Sequence, residues 1–489
     1  MAWAPSDVAT TAAVRPARTR PRRRALIWAA AGFGLALAAY LTDVATHPID
    51  LTLGWFDLNI YRHAGLIIRH APDTLYTWQF RPGVQYLYTP FAALAFAAGS
   101  LLPWALLKWL MTVASLAAMM VTVWATFGQL GWAGRGRAAA VLGVGAVALW
   151  TEPVLRSLQV GQIELLLMAL LVWDLCQPED RRRKGIGVGV AAGIKLVPLI
   201  FIPYLILAGK ARQAMVALAA FAVTAVIGFV ALPYDSVKWW LTGYFLHAGD
   251  FLNISLGSLL NQSLLAMLTR TPAGTGSVTA LWLLLAALFG CLGLGAAAVL
   301  ARTGRPTAGW VTCAVTGVLI SPISWDNHWV WIVPVGVLLV DATARARGPA
   351  RAAARAGYIA LIAALAGLFL DWPTHWTGRL AFVPHGLVGF DVRRHPMTEI
   401  FHLSGMQLIG WNLFVLGGLA VFAGLVVASA RVYRREGLAA LRLPGLATGS
   451  GGPSPRSRSR RDPAPTPGTA RSAAAPTAAP GAGRPPPPR

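Results

Sequence analysis

The sequence predicts an all-α polytopic membrane protein of about twelve membrane segments, and three observations predict it. Hydrophobic residues make up 56% of the 489-residue chain and charged residues only 12%, about half the charged share of a soluble domain. The apolar residues gather into runs of the length an α-helix needs to cross a bilayer. The basic residues, which give a net charge of +23, sit in the tails and in short turns between those runs. There they act as topology signals, so no nucleic-acid partner is expected. Cys176, Cys291 and Cys313 lie in or beside apolar runs and give neither a disulfide framework nor a metal-ligand spacing.

Taken in order, residues 1–24 form a basic tail ending in Arg22, Arg23 and Arg24. By the positive-inside rule this tail is cytoplasmic. The run at 25–43 follows it without a small-residue cleavage site and is expected to be a retained anchor. Residues 88–102 lie in the interface or re-enter, because otherwise the Arg135/Arg137 turn falls on the wrong side. Spans are expected near 104–127, 138–150, 163–176, 213–232, 278–300, 307–321, 329–341, 357–371 and 406–428. Residues 185–209 carry basic clusters at both ends and are too short for two full spans. They read as two half-helices meeting at Lys195-Leu196-Val197-Pro198, where the proline breaks the helix. Residues 431–489 are rich in Pro, Ala, Ser and Arg, cannot bury a core, and are expected to form a disordered cytoplasmic tail.

This threading places all nine histidines and most carboxylates outside, in segments 44–87, 151–162, 233–277 and 372–405 and in the turn 321–328. The first holds Asp57 among aromatic residues, next to Tyr61 and Arg62. Partial desolvation there raises a carboxylate's pKa and suits it to take a proton from a sugar hydroxyl; the alternative is a helix-capping aspartate. In the second, Gln162 and Glu164 stand at the mouth of a span, where a charge needs a partner, Arg156, or a function. Lys195 has apolar neighbours on both sides: it either snorkels to the cytoplasm or faces an outer cavity, where a lipid-linked phosphate is a natural counter-ion. Asn253 to Ser263 string together amides and hydroxyls suited to sugar, or else are polar loop filler. Ser321 to Trp329 pack Trp325, Asp326, Asn327 and His328 into one turn. The tryptophans alone could form an interfacial belt, but such a belt does not need the aspartate and histidine.

Five segments together carry a resemblance: Asp57-Leu58-Asn59-Ile60-Tyr61, Gly161-Gln162-Ile163, Ile194-Lys195-Leu196-Val197-Pro198, Asn261-Gln262-Ser263, and Ser321 through Trp329. In order and spacing they resemble the actinobacterial polyprenol-phosphate-mannose-dependent α-1,2-mannosyltransferases, of the GT-C superfamily, over residues 25–430. The resemblance implies a GT-C type transmembrane domain in a bacterial plasma membrane, with extracytoplasmic loops forming the active site. It implies a polyprenyl-phosphate-sugar donor, a glycolipid or polysaccharide acceptor of phosphatidylinositol mannoside or lipomannan type, and membrane lipids as surroundings. Asp57 corresponds to the catalytic base, and His328 is expected to be catalytic beside it. Lys195 and His328, with Arg62 or Arg81, face the donor phosphate, and Tyr61, Gln162, Glu164, Asn261, Gln262, Trp325, Asp326 and Asn327 bind sugar or acceptor.

Direct attack of an acceptor hydroxyl on a β-linked mannosyl phosphate inverts the anomeric centre and needs one base and a stabilised leaving phosphate. No cofactor or metal is expected, and activity should survive a chelator. Two other readings stay open: an arabinofuranosyltransferase using decaprenyl-phosphate-arabinofuranose, and a lipid or polysaccharide transporter. The latter normally carries ionisable groups at the bilayer midplane and paired repeats. Loop 372–405, with Asp391, Arg393, Arg394 and His395, is expected to choose the acceptor.

Overall fold

A computed structural model describes residues 23–46, 55–81, 84–247, 256–271, 275–370 and 405–437. The basic N-terminal tail through 22, the Asn253-Ile254-Ser255 stretch, loop 372–404 and the tail beyond 437 lie outside the described residues.

The described chain is almost entirely helical. The helices are α1 (Arg23–Thr46), α2 (Phe56–His70), α3 (Pro90–Ser100), α4 (Trp104–Gln129), α5 (Gly134–Leu149), α6 (Glu152–Val160), α7 (Glu164–Leu175), α8 (Ile186–Ile194), α9 (Phe201–Leu207) and α10 (Ala211–Ala231). They continue with α11 (Pro233–Ser236), α12 (Leu264–Thr269), α13 (Thr275–Arg302), α14 (Pro306–Ile320), α15 (Ile332–Arg345), α16 (Ala352–Phe369), α17 (Met406–Trp411) and α18 (Leu413–Glu436). One hairpin pairs β1 (Gln79–Arg81) antiparallel with β2 (Val84–Gln85).

Seven helices among the described residues are long and apolar enough to cross a membrane, or eight if the bent pair α6 and α7 is one span. The chain is thus a multi-pass membrane protein, with fewer full-length spans than the twelve segments expected. The difference lies in short helices such as α3, α14 and the α8–α9 pair. The last is built as the sequence suggested: α8 ends at Ile194, Lys195 is extended at φ −138° and ψ 133°, and a 3-10 turn over Val197–Ile200 leads into α9. At the C-terminal end α18 runs on through Glu436, so helix continues past the expected boundary at 430.

Two segments expected as loops are helical. Residues 152–160 form α6, whose first turn carries Pro153 and whose residues are nearly all buried. The first outer segment holds α2 and the hairpin. α2 packs on α3, α8 on α10, α4 on α7, and α13 on α14.

The principal core joins α4, α7, α14 and α18 around Trp310, Trp329, Trp331, Phe369 and Phe414. A second, smaller core beneath α2 holds Ile60, Leu75, Tyr76, Tyr86, Trp239 and Tyr244. There Tyr76 stacks on Trp239 with centroids 5.2 Å apart. Trp329 and Trp331 are buried in the principal core, and Trp329 Nε1 donates to the Gln262 carbonyl at 3.1 Å. They therefore do not form the interfacial belt.

Candidate active site

A cavity of about 340 Å³ opens where four breaks in regular structure meet. α2 contributes Asp57, the α6–α7 bend Arg156 and Gln162, the break after α8 Lys195, and the 321–328 turn Trp325, Asp326, Asn327 and His328. The other walls are mostly apolar, with Phe56, Leu196, Trp239 and Leu260 among them.

The bend of 117° between α6 and α7 turns at Gly161, which sits at φ 68° and ψ 41°. A Cβ there would lie 2.6 Å from Leu58 Cβ. Only glycine both adopts the left-handed conformation freely and admits α2 this closely. The start of α2 is tied to the same bend, because the Trp55 amide donates to the Gln159 carbonyl at 2.8 Å. Trp55, at φ 62°, holds the N-cap position and makes no side-chain capping bond. Asp57 lies in the first turn and faces the cavity, so it is not the cap that was one reading of it.

Burial pushes the Asp57 carboxyl up to about 7. Lys195 opposes the shift, Glu164 and Asp326 reinforce it, and Arg156 opposes it. Such a carboxyl is poised to exchange a proton near neutral pH.

Two cation–carboxylate pairs frame Asp57. Lys195 Nζ pairs with Glu164 Oε1 and lies 2.9 Å from His328 Nε2. The His328 ring is in turn 3.4 Å from Glu164 Oε1. Arg156 Nε pairs with Asp326 Oδ2 at 3.0 Å, with the two side chains 4% and 3% exposed. The expected Glu164–Arg156 pair is therefore not formed. The sharp α6–α7 bend separates the two residues, and each meets the partner that another element brings to it. Lys195 points into this network, so its snorkelling alternative is set aside.

The turn that carries His328 is held by the segment before α12. The Gln262 amide donates to the Ser324 carbonyl at 2.7 Å, the Asp326 amide to the Leu260 carbonyl at 2.9 Å, and Asn261 bridges Trp325. Asn261 Nδ2 donates to the Leu256 and Pro322 carbonyls, and its Oδ1 accepts from the Ser324 amide. Gln262 Nε2 donates to the Leu259 and Trp411 carbonyls. Both amides are fully buried and neither lines the cavity. The sugar-binding role expected of Asn261 and Gln262 is thus corrected to one of bracing backbone.

Tyr61 is buried behind the wall, its hydroxyl meeting Tyr88 Oη at 2.8 Å and Gln162 Oε1. Gln162 Oε1 also accepts from Tyr88 at 3.1 Å and from the Ile163 amide at 3.0 Å, while the residue lines the cavity. Tyr61 therefore supports the site without lining it. Arg62 does not line the cavity either. Arg81 stands on β1, and its side chain lies outside the described residues.

Sequence reasoning missed Arg156 except as a partner for Glu164, gave Tyr88 no role of its own, and missed Arg270 altogether. Arg270 is fully buried and donates to the carbonyls of Gly257, Ser258, Asn261 and Trp411 and to Asn412 Oδ1. Its burial lowers its pKa to about 9. The available signal was a lone arginine at the end of an apolar run, for which carbonyl partners are invisible in sequence. Among the described residues, no three His, Cys, Asp or Glu side chains cluster as a metal site would.

Residues 86–322 match the profile of Glycosyltransferase family 87. The chain is 28% identical, over 84% of its length and 92% of the relative, to a Mycobacterium tuberculosis polyprenol-phosphate-mannose-dependent alpha-(1-2)-phosphatidylinositol mannoside mannosyltransferase. It is 31% identical, over 60% of its length and 68% of the relative, to a polyprenol-phosphate-mannose-dependent alpha-(1-2)-phosphatidylinositol pentamannoside mannosyltransferase from another strain of that species. A Mycolicibacterium smegmatis phosphatidylinositol mannoside mannosyltransferase is 26% identical over 63% of the chain and 77% of the relative. No solved structure matches.

Proposed function

Because the chain belongs to glycosyltransferase family 87, we propose that its cavity transfers mannose from polyprenyl-phosphate-mannose to a hydroxyl of a phosphatidylinositol mannoside or related lipoglycan, forming an α-1,2 linkage with inversion. The observation that carries this reading is a single cavity that gathers Asp57, Lys195 and His328 with largely apolar walls. Asp57 and Lys195 set a carboxylate and an ammonium at a greasy approach, which a lipid phosphate sugar requires.

Asp57 takes the proton from the acceptor hydroxyl as its oxygen bonds the anomeric carbon. The bond from that carbon to the phosphate oxygen breaks, and its electron pair leaves with the polyprenyl phosphate. Lys195 receives the developing phosphate charge, and His328 holds the ammonium in place. Such fixed charge is worth more in a dry cavity than in water. The donor named for the relatives, polyprenol-phosphate-mannose, favours mannose over arabinofuranose. An extracytoplasmic active site with both termini cytoplasmic accords with the basic N-terminal tail and turns.

The test is transfer of radiolabelled sugar from polyprenyl-phosphate-mannose, and in parallel from decaprenyl-phosphate-arabinofuranose, to a cell-envelope lipid extract. Purified wild type and Asp57→Asn are compared. Mannose transfer that the variant loses supports the reading. Arabinose transfer replaces the donor, and silence with both donors overturns the glycosyltransferase assignment.

A further inference from the structure

We propose that Arg156, Asp326 and Asn327 form a hydroxyl-reading subsite in the cavity wall, taking a vicinal diol of a pyranose ring. The inference rests on the glycosyl-transfer reading of the same cavity and adds the means by which a sugar ring is oriented there.

All three residues line the cavity. The Arg156 and Asp326 charges are mutually balanced across 3.0 Å and almost excluded from solvent. An anion has little to gain from this arginine, because drawing it away strips Asp326 of its cation in a buried setting. The pair is instead a neutral, rigid, polar edge. Guanidinium presents five N–H groups in one plane, and Asp326 engages it through Nε. Nη1 reaches Gln159 Oε1 at a long 3.5 Å.

On the other side, Asp326 Oδ1 accepts from the Asn327 amide at 2.8 Å, which fixes the carboxylate relative to the asparagine. Asn327 Nδ2 is buried and has no hydrogen-bond partner among the described residues. A buried donor without an acceptor is costly, and native folds seldom keep one without a use for it.

The missing group is an acceptor oxygen. A hydroxyl supplies it and can donate its own proton to the neighbouring carboxylate. Two adjacent hydroxyls match a fork of guanidinium, carboxylate and amide, and Trp325 beside them in the wall offers an apolar face to the ring carbons. Lys195, a flexible point charge already bound to Glu164 and His328, lacks that planar geometry. The cavity therefore divides its labour, with phosphate at Lys195 and ring hydroxyls at Arg156 to Asn327.

The experiment uses full-length purified protein with two probes, a short-chain polyprenyl-phosphate-mannose and octyl α-mannoside, each also with the sugar's 3- or 4-hydroxyl removed. Variants are Asn327→Ala and Arg156→Lys, with the neutral double variant Arg156→Gln with Asp326→Asn carrying the same measurement should the lysine variant fail to fold.

The expected result is a rise of about tenfold in KM for one of the two sugars, the effect of one or two hydrogen bonds. The deoxy analogue that costs wild type a similar factor should cost the variants less than about twofold further. A KM rise on the mannolipid places the donor ring in the subsite, and a rise on octyl α-mannoside the acceptor ring; either supports the inference. An equal deoxy penalty in wild type and variants overturns it. Failure of the underlying reading is distinct, since it shows as no transfer by wild type or as full turnover by Asp57→Asn.

Discussion

Lys195 Nζ lies 2.9 Å from His328 Nε2 while also pairing with Glu164, so one ammonium joins the break after α8, the first turn of α7 and the 326–331 turn. An ammonium only donates, so Nε2 must accept. That leaves Nδ1 to carry the imidazole proton toward the Ile323 carbonyl. His328 is thereby a neutral prop for Lys195, and in the proposed reaction the cation for the donor phosphate is the lysine. The catalytic role expected of His328 from sequence thus becomes, in our proposal, one of positioning.

Lys195→Gln should accordingly raise the donor KM by more than about tenfold, the scale of a lost charge-assisted hydrogen bond. His328→Gln, whose amide oxygen can still accept from Lys195, should cost less than His328→Ala. Steady-state transfer assays with varied donor check both, and equal loss in the two His328 variants would contradict the prop.

Turnover should depend on pH through Asp57. The base must be ionised, and its carboxyl is pushed up to about 7, so kcat/KM should fall about tenfold per unit below that pH and level off above it. Asp57→Asn should lower kcat by ~100-fold to 10,000-fold and abolish this limb. Stability should move the other way. Between the ordinary value of 3.8 and about 7, the folded state holds a proton that the unfolded state has lost, so folding weakens as pH rises through that window. Asp57→Asn should therefore gain Tm relative to wild type as pH climbs from 4 to 7, measured by thermal unfolding in detergent.

Arg270 braces the loop that braces the site. Arg270→Met would strip a charged donor from four carbonyls and an amide oxygen. With hydrogen bonds to charged groups contributing about 1.5–3 kcal/mol each, the loss should exceed about 3 kcal/mol. Arg270→Lys should recover part of it, as read by thermal unfolding.

Close approach of α8 to α10 should be just as sensitive. A Cβ at Gly189 would collide with the Ala217 carbonyl oxygen, a backbone atom that cannot rotate away. Gly189→Ala should lower both Tm and donor affinity, because α8 ends at Ile194 and so positions Lys195 directly after it. Gly295→Ala on α13, where nothing lies within 4 Å, should be neutral or slightly stabilising. Equal behaviour of the two variants would show that the helix contact is not limiting.

By itself the sequence determined the class of protein, the proline-broken element around Lys195, and the candidate groups Asp57, Lys195 and His328 that the fold brings to one cavity. Those are local facts: apolar run length, helix breakers, and charges that a membrane tolerates only with a purpose. Tertiary structure alone decided who meets whom. Glu164 went to Lys195 and Arg156 to Asp326, because the 117° turn at Gly161 redirects α7. It also drew Asn261 and Gln262 away from the cavity, since an amide string suited to sugar is equally suited to backbone carbonyls and only packing supplies the choice. Residue type thus fixes what a group can do, whereas the partner it has in a low-dielectric interior fixes what it does.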